Sequence, residues 1–206
     1  MDVRFIDPAS LGLTGEPDAV TFADAITSVA DEYAVRLILL DGPQGWRAER
    51  APPGHARECE KATRTPGKTG LPGVVKPASW TRMADFSVAL FDALQARGWP
   101  RIDHTWNGGR ATIESFPTQA WRSLGHPALP GKKPALDHAP WTERLVAEGL
   151  RGITQPSHDE VQATIAALAG LQLLAGGLDA ADVRGLPPTF EGGHWREGFI
   201  ICPRRG

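Results

Sequence analysis

Cysteine is nearly absent from this chain: Cys59 and Cys202 are the only two among 206 residues. Thiols so far apart provide neither a metal-ligand spacing nor a disulfide framework, so reduced thiols in a cytoplasmic setting are the expectation. Long apolar runs are lacking too. Nothing approaches the roughly 18 apolar residues of a membrane-spanning helix. The opening MDVRFIDPAS has no basic region leading into an apolar stretch, so neither a membrane partner nor a signal peptide is expected. A strong charge of either sign is also missing. The formal net charge is −2, which gives no global pull toward nucleic acid. No internal repeat is visible.

What is present suits a single α/β domain over residues 1–206, since a 41% hydrophobic share at this length can fill a sizeable core. TFADAITSVADEYA sets Phe22, Ala25, Ile26, Val29, Ala30 and Tyr33 on one helical face. VRLILL follows as an uninterrupted apolar strand, of the kind a sheet covered on both faces requires. Residues 79–97 and WTERLVAEGL read as further helices, and QAWRSL as a short one capped by Thr118. DVRFID is a possible first strand and REGFIICP a last one. RIDHTW and ATIESF flank the turn NGGR, which suggests a hairpin. Residues 42–78 and 125–138, rich in Gly, Pro and charge, are long loops or insertions, the first with a short helix around GHARECEKAT. Charge is uneven: from Trp46 to Lys76 the net is +4, leaving −6 for the remainder. A solvated loop and a phosphate-holding segment both fit that imbalance.

The best-defined helix is SHDEVQATIAALAGLQLLAGG, opened by a Ser157/Glu160 capping box and apolar nearly all round, hence buried. Asp159, Ala163, Ala166 and Gly170 form one stripe, small residues beneath a carboxylate, which lets the helix lie close to a sheet and brings Asp159 near strand ends. Asp41 ends the strand VRLILL, and Glu114 sits inside ATIESFP. Acids in such places cost several kcal/mol unless paired, protonated or bound to a cation. A divalent ion relieves the repulsion of three converging carboxylates, and oxygen-only ligation points to Mg²⁺ or Mn²⁺. Two such ions about 4 Å apart activate water and stabilise the leaving oxygen in phosphodiester hydrolysis. Each acid also has a plain reading: Asp-Gly as a turn pair, a strand Glu facing solvent, an acid favoured by a helix dipole.

The order LILLDGPQGW, ARECE, TIESFPTQAW, GKKP, SHDEVQATIAAL resembles the family catalogued as domain of unknown function 429, whose members are regarded as predicted nucleases of the RNase H-like superfamily. The resemblance covers roughly residues 35–202 and rests on short motifs in a specific order. The family's Asp-x-Pro after a buried strand is matched by Asp41 and Pro43, its Arg and acid on a short helix by Arg57 and Glu60, and its Glu shortly before a Pro by Glu114 and Pro117. Its helix start resembling HD-x-x-D-A is matched by His158, Asp159 and Ala163, with Gln162 in place of the second Asp. The resemblance implies an RNase H-like mixed sheet flanked by helices. Such folds open on a hairpin whose first strand carries an Asp. About 20 residues before the first helix are too few for that at ordinary strand lengths. Part of the N-terminal hairpin is therefore expected to be missing, DVRFI corresponding to a later strand and Asp7 being a disfavoured stand-in for the acid.

Three other features carry less. ATRTPGKT, residues 62–69, fits a loose P-loop expression, but a helix-like segment precedes it and GLPGVVKP cannot continue as a helix, so nucleotide binding there is not expected, although Lys68 could touch a phosphate. Cys59 beside basic residues has no readable His partner and is a packing residue by default. Trp46, Trp106, Trp121 and Trp195 could stack bases, although most Trp in such a domain packs the core or rim. The leading expectation is a metal-dependent nuclease. Asp41, Glu114 and Asp159 would be the catalytic and metal-binding acids for two ions, or one if the site is degenerate, and Arg57, Lys61 and Lys133 would neutralise a nucleic-acid backbone. The alternative is a degenerate RNase H-like module that binds or supports without turnover, as Gln162 and the missing first-strand acid would suit.

Overall fold

The computed structural model describes residues 1–50, 54–133 and 136–205; parts of both expected long loops, at 51–53 and 134–135, lie outside these. The first helix, α1 (Ala19–Glu32), is started by Asp18, whose carboxylate accepts the Thr21 N–H at 2.8 Å. It feeds β1 (Leu37–Leu40), whose four apolar residues alternate between two cores. Leu37 packs with Ala169 and Leu173 on one face, whereas Ile38 packs with Ala23, Leu90 and Leu94 on the other. That two-sided burial explains the unbroken apolar run.

Residues 42–78 carry α2 (Glu58–Thr63) and a two-stranded antiparallel ribbon, β2 (Lys68–Thr69) with β3 (Val75–Lys76). The loop is thus more structured than its composition suggests. No helix begins at Lys68, which disposes of the P-loop geometry. Next come α3 (Thr81–Ala96), β4 (Ala111–Ser115), α4 (Pro117–Ser123), α5 (Ala139–Ala147) and α6 (His158–Gly176). Pro117 occupies the first position of α4 and Thr118 lies inside it, so Thr118 is not the cap expected of it. The chain closes with the hairpin β5 (Asp182–Glu191) and β6 (His194–Cys202).

Among the described residues the main sheet has four strands in the order β1-β4-β6-β5, with β1, β4 and β6 parallel and β5 antiparallel at one edge. Helices α1 and α3 cover one face and α6 the other, a mixed α/β arrangement. A third core, between α4, α5 and α6, buries Trp121, Leu145 and Ile165 completely. Each such side chain contributes about 1.5–3 kcal/mol.

Two expected strands are not formed. DVRFID makes only a single bridge, Asp2 with Arg151, and Asp7 is a local cap that accepts the Ala9 N–H at 3.0 Å. RIDHTW does not form a hairpin with β4; Arg101 only bridges Thr112 in parallel. The reason is topological. Strand β6 pairs with β4 only at Glu114 and Ser115, and the 100–102 stretch takes up the rest of that edge running parallel, the Ile102 N–H donating to the Thr112 carbonyl at 3.0 Å, while the Arg101 side chain is held by Asp92 at 2.7 Å and the Gln44 carbonyl at 2.9 Å.

Candidate functional site

Because β1 and β4 are parallel with Leu40 beside Glu114, the next residues, Asp41 and Ser115, emerge together at the strands' carboxyl ends. In open α/β sheets this is where ligands sit. Two clefts meet there. One, about 400 Å³, runs from Asp41 and Ser115 to Trp80, Met83, Phe116 and Lys68. The other, about 460 Å³, has Asp41 and Ser115 on one side and His158, Asp159 and Gln162 on the other.

Asp41 makes no hydrogen bond or ion pair among the described residues. Its surface is open to the clefts, yet protein encloses it on most sides. That enclosure, and then the negative charge of Asp159, push its carboxyl up to about 6. Asp159 stands at the start of α6, where the capping box of Ser157 and Glu160 fixes the helix end. Lys132 donates to Asp159 at 2.6 Å and holds its carboxyl below the usual range, helped by His158 at 3.2 Å. The stripe of small residues works as the sequence implied. Ala163 and Ala166 line the second cleft against Leu37 and Leu39, and a Cβ on Gly170 would come within 2.8 Å of Leu39 Cδ1.

Glu114 has a different fate. Arg57 donates to both its oxygens, Nη1 to Oε2 at 2.8 Å and Nη2 to Oε1 at 2.9 Å, and the Gln44 N–H adds a third bond at 3.1 Å. Burial pushes the Glu114 carboxyl up while the guanidinium pulls it down, and this two-pronged geometry is that of a charged pair. Arg57 also reaches Glu60 through Nε at 3.1 Å and Nη2 at 3.0 Å. Arg57 is 0% exposed, so it holds protein carboxylates together rather than a substrate backbone.

Neither of the other two expected cations lines either cleft. Lys61 pairs with Glu58 at 2.6 Å on the surface, and Lys133 is exposed. The lysine that does reach an acid of the site is Lys132. Among the described residues no group of three or more His, Cys, Asp or Glu side chains stands at metal-ligand spacing. What the fold assembles is therefore a pair, Asp41 facing Asp159 across one cleft, with Glu114 locked behind it.

The Arg57–Glu60–Glu114 cluster has a structural purpose that sequence reading missed. Glu60 accepts the backbone N–H groups of Arg57 at 3.0 Å and Thr69 at 2.9 Å. Glu197 accepts those of Ala48 at 3.0 Å and Glu58 at 2.9 Å. Three glutamates from three elements thus fasten the 42–78 segment to the sheet. Cys59, fully buried beside them, has its thiol pushed well up by burial and is inert, in keeping with a packing role. No family model matches this chain, and neither curated proteins nor solved structures yield a match. Among the described residues no helix is long and apolar enough to cross a membrane.

Proposed function

We propose that this protein is a divalent-metal-dependent phosphodiester hydrolase acting on nucleic acid, built on an RNase H-like sheet. The observation that carries the reading is Asp41: an unpartnered carboxylate at a parallel-strand terminus, with Asp159 close enough across a cleft to raise its proton affinity. Two acids in that relation are stabilised by a shared cation, and their donor set is all oxygen, which suits Mg²⁺ or Mn²⁺. Asp41 and Asp159 would hold one ion, with Ser115 and Gln162 lining the same cleft. Such an ion would polarise a phosphodiester oxygen and lower the pKa of bound water. Lys132 must leave Asp159 for this, which costs little because both side chains are more than two-thirds exposed. Lys132 is then free to meet the substrate phosphate. Glu114 acts from behind, as the counter-ion that keeps Arg57 and the 42–78 segment in place.

The non-catalytic reading has its own support in the Arg57 lock on Glu114, which removes the third acid from the cleft. Incubation of purified protein with single-stranded and duplex DNA and RNA, with and without Mg²⁺ or Mn²⁺, decides between them. Cleavage should require the metal and fall at least 100-fold in Asp41→Asn and in Asp159→Asn. Cutting that survives chelation, or an unaffected Asp41→Asn, defeats the proposal. No cleavage of any substrate leaves the binding module.

A further inference from the structure

The cleft of about 400 Å³ beside Asp41 is not needed to hold an ion, and its lining differs in kind from the acid pair. Part of the lining is apolar. The Trp80 indole lies against the backbone of Gly67, so closely that a Cβ there would stand 2.5 Å from Trp80 Cε3, and Met83 and Phe116 continue the surface. Trp80 remains 36% exposed and Met83 43%, so the face is anchored yet open. The rim of this surface is polar: Ser115 adjoins Phe116 in the chain, and Asp41 precedes Gly42, whose added Cβ would lie 3.8 Å from Met83 Sδ. The Asp41 carboxylate and the hydroxyls of Ser115 and Thr118 line it, and none of the three has a hydrogen-bond partner among the described residues. Lys68 places an ammonium in the same cleft, resting on the Glu60 carbonyl at 3.1 Å.

A predominantly apolar cavity of this size with a few convergent polar groups is the usual form of a small-molecule site. An aromatic face rimmed by unpaired oxygens suits a flat ring bearing N–H donors at its edge. We infer that this cleft seats a nucleobase, its face on Trp80 and its N–H edge toward Asp41, Ser115 and Thr118. The identity of the ligand as a unit of nucleic acid rests on the hydrolase reading. With that reading, the substrate class becomes single-stranded, because a base whose edge is engaged in pairing cannot offer it to Asp41, Ser115 and Thr118. The base would then be held on one side of Asp41 while the acid pair faces the other.

The test separates base binding from hydrolysis by omitting the metal. Protein in EDTA is titrated with the uncharged nucleosides guanosine, adenosine, cytidine and uridine, following tryptophan emission and, independently, calorimetric heat. Saturable binding of at least one nucleoside is expected, about tenfold weaker in Trp80→Ala and restored toward wild type in Trp80→Phe, since stacking on an aromatic face is sequence-tolerant. Thr118→Val, a partly exposed position in the first turn of α4, should weaken binding severalfold without altering the thermal midpoint. No saturable binding of any nucleoside, or equal affinity in Trp80→Ala and Thr118→Val, overturns the inference. Nucleoside binding by a protein that cleaves nothing with Mg²⁺ or Mn²⁺ would sustain the base site and reject the hydrolase.

Discussion

Removing the Arg57 guanidinium would leave Glu60 and Glu114 without their shared cation at the floor of the cleft, where both are only 3–4% exposed. Breaking a buried ion cluster from one side is costly because the remaining charge loses its partner without regaining solvent. Arg57→Ala should therefore lower the unfolding free energy by about 3–5 kcal/mol, read from urea denaturation at pH 7. Arg57→Lys should recover only part of it, since an ammonium cannot present the two-pronged contact to Glu114. An unchanged urea midpoint in Arg57→Ala would mean that the cluster is not the anchor of the 42–78 segment. At this scale the sequence was legible for residue type and not for partner. An acid inside a buried strand had to be compensated, which the chain made plain for Glu114. That the compensation is a guanidinium 57 positions away, and not a metal, depends on how the intervening loop folds. Asp41 was better signalled, because a strand followed directly by Gly42 and Pro43 must release its last side chain at the sheet edge.

Helix α6 and the hairpin β5–β6 show which elements a pattern can reveal. The α6 pattern is local: a capping box, an apolar body and a small-residue stripe, all within the helix itself. Strand β5, in contrast, escaped notice because Pro187, Pro188 and exposed Phe190 break the usual alternation, and a bulge between Leu186 and Thr189 resets its register. The turn Gly192-Gly193, both at positive φ, was the available signal for a two-residue hairpin. Close packing separates two glycines that look alike in sequence. At Gly170 an added methyl meets the mobile end of Leu39, and alanine favours the helix by about 1 kcal/mol. Gly170→Ala should therefore be neutral within about 1 kcal/mol. Gly185 has φ +116, and an added Cβ would lie 2.7 Å from the Gly198 carbonyl oxygen and 2.6 Å from Cys59 Cβ. Gly185→Ala should cost about 2–4 kcal/mol through backbone strain and overlap with α2. Parallel urea titrations of the two variants check the contrast, and equal midpoints would contradict it.

For the whole molecule, the layering of helices on a mostly parallel sheet followed from the two-sided apolar run of β1. The crevice at the strand ends followed from that layering. The charge placed there links the site to global stability. Asp41 in the fold has its carboxyl raised from the ordinary 3.8 to about 6, so the folded state holds this proton more tightly than the unfolded chain does. Its contribution is then most favourable below pH 4, declines as pH rises through 4 to 6, and is an unrelieved burden above that. Because Asp41 is exposed at the cleft, solvent screening discounts this effect; Asp41→Asn should raise the thermal midpoint at pH 7.5 by an amount on the order of 2 °C, and the difference should vanish below pH 4. A divalent cation between Asp41 and Asp159 would lift the same burden by binding only the folded state. At a hundredfold excess over its dissociation constant such a ligand adds about 2.7 kcal/mol, or about 5–10 °C for a chain of this size. Mn²⁺ or Mg²⁺ should accordingly stabilise the wild type more at pH 7.5 than at pH 5, where protonation of Asp41 competes, and should leave Asp41→Asn unmoved. Scanning calorimetry of both proteins at the two pH values reads all of this in one series. A metal-induced shift of the same size in Asp41→Asn would place the ion elsewhere and remove the acid pair from the proposed chemistry.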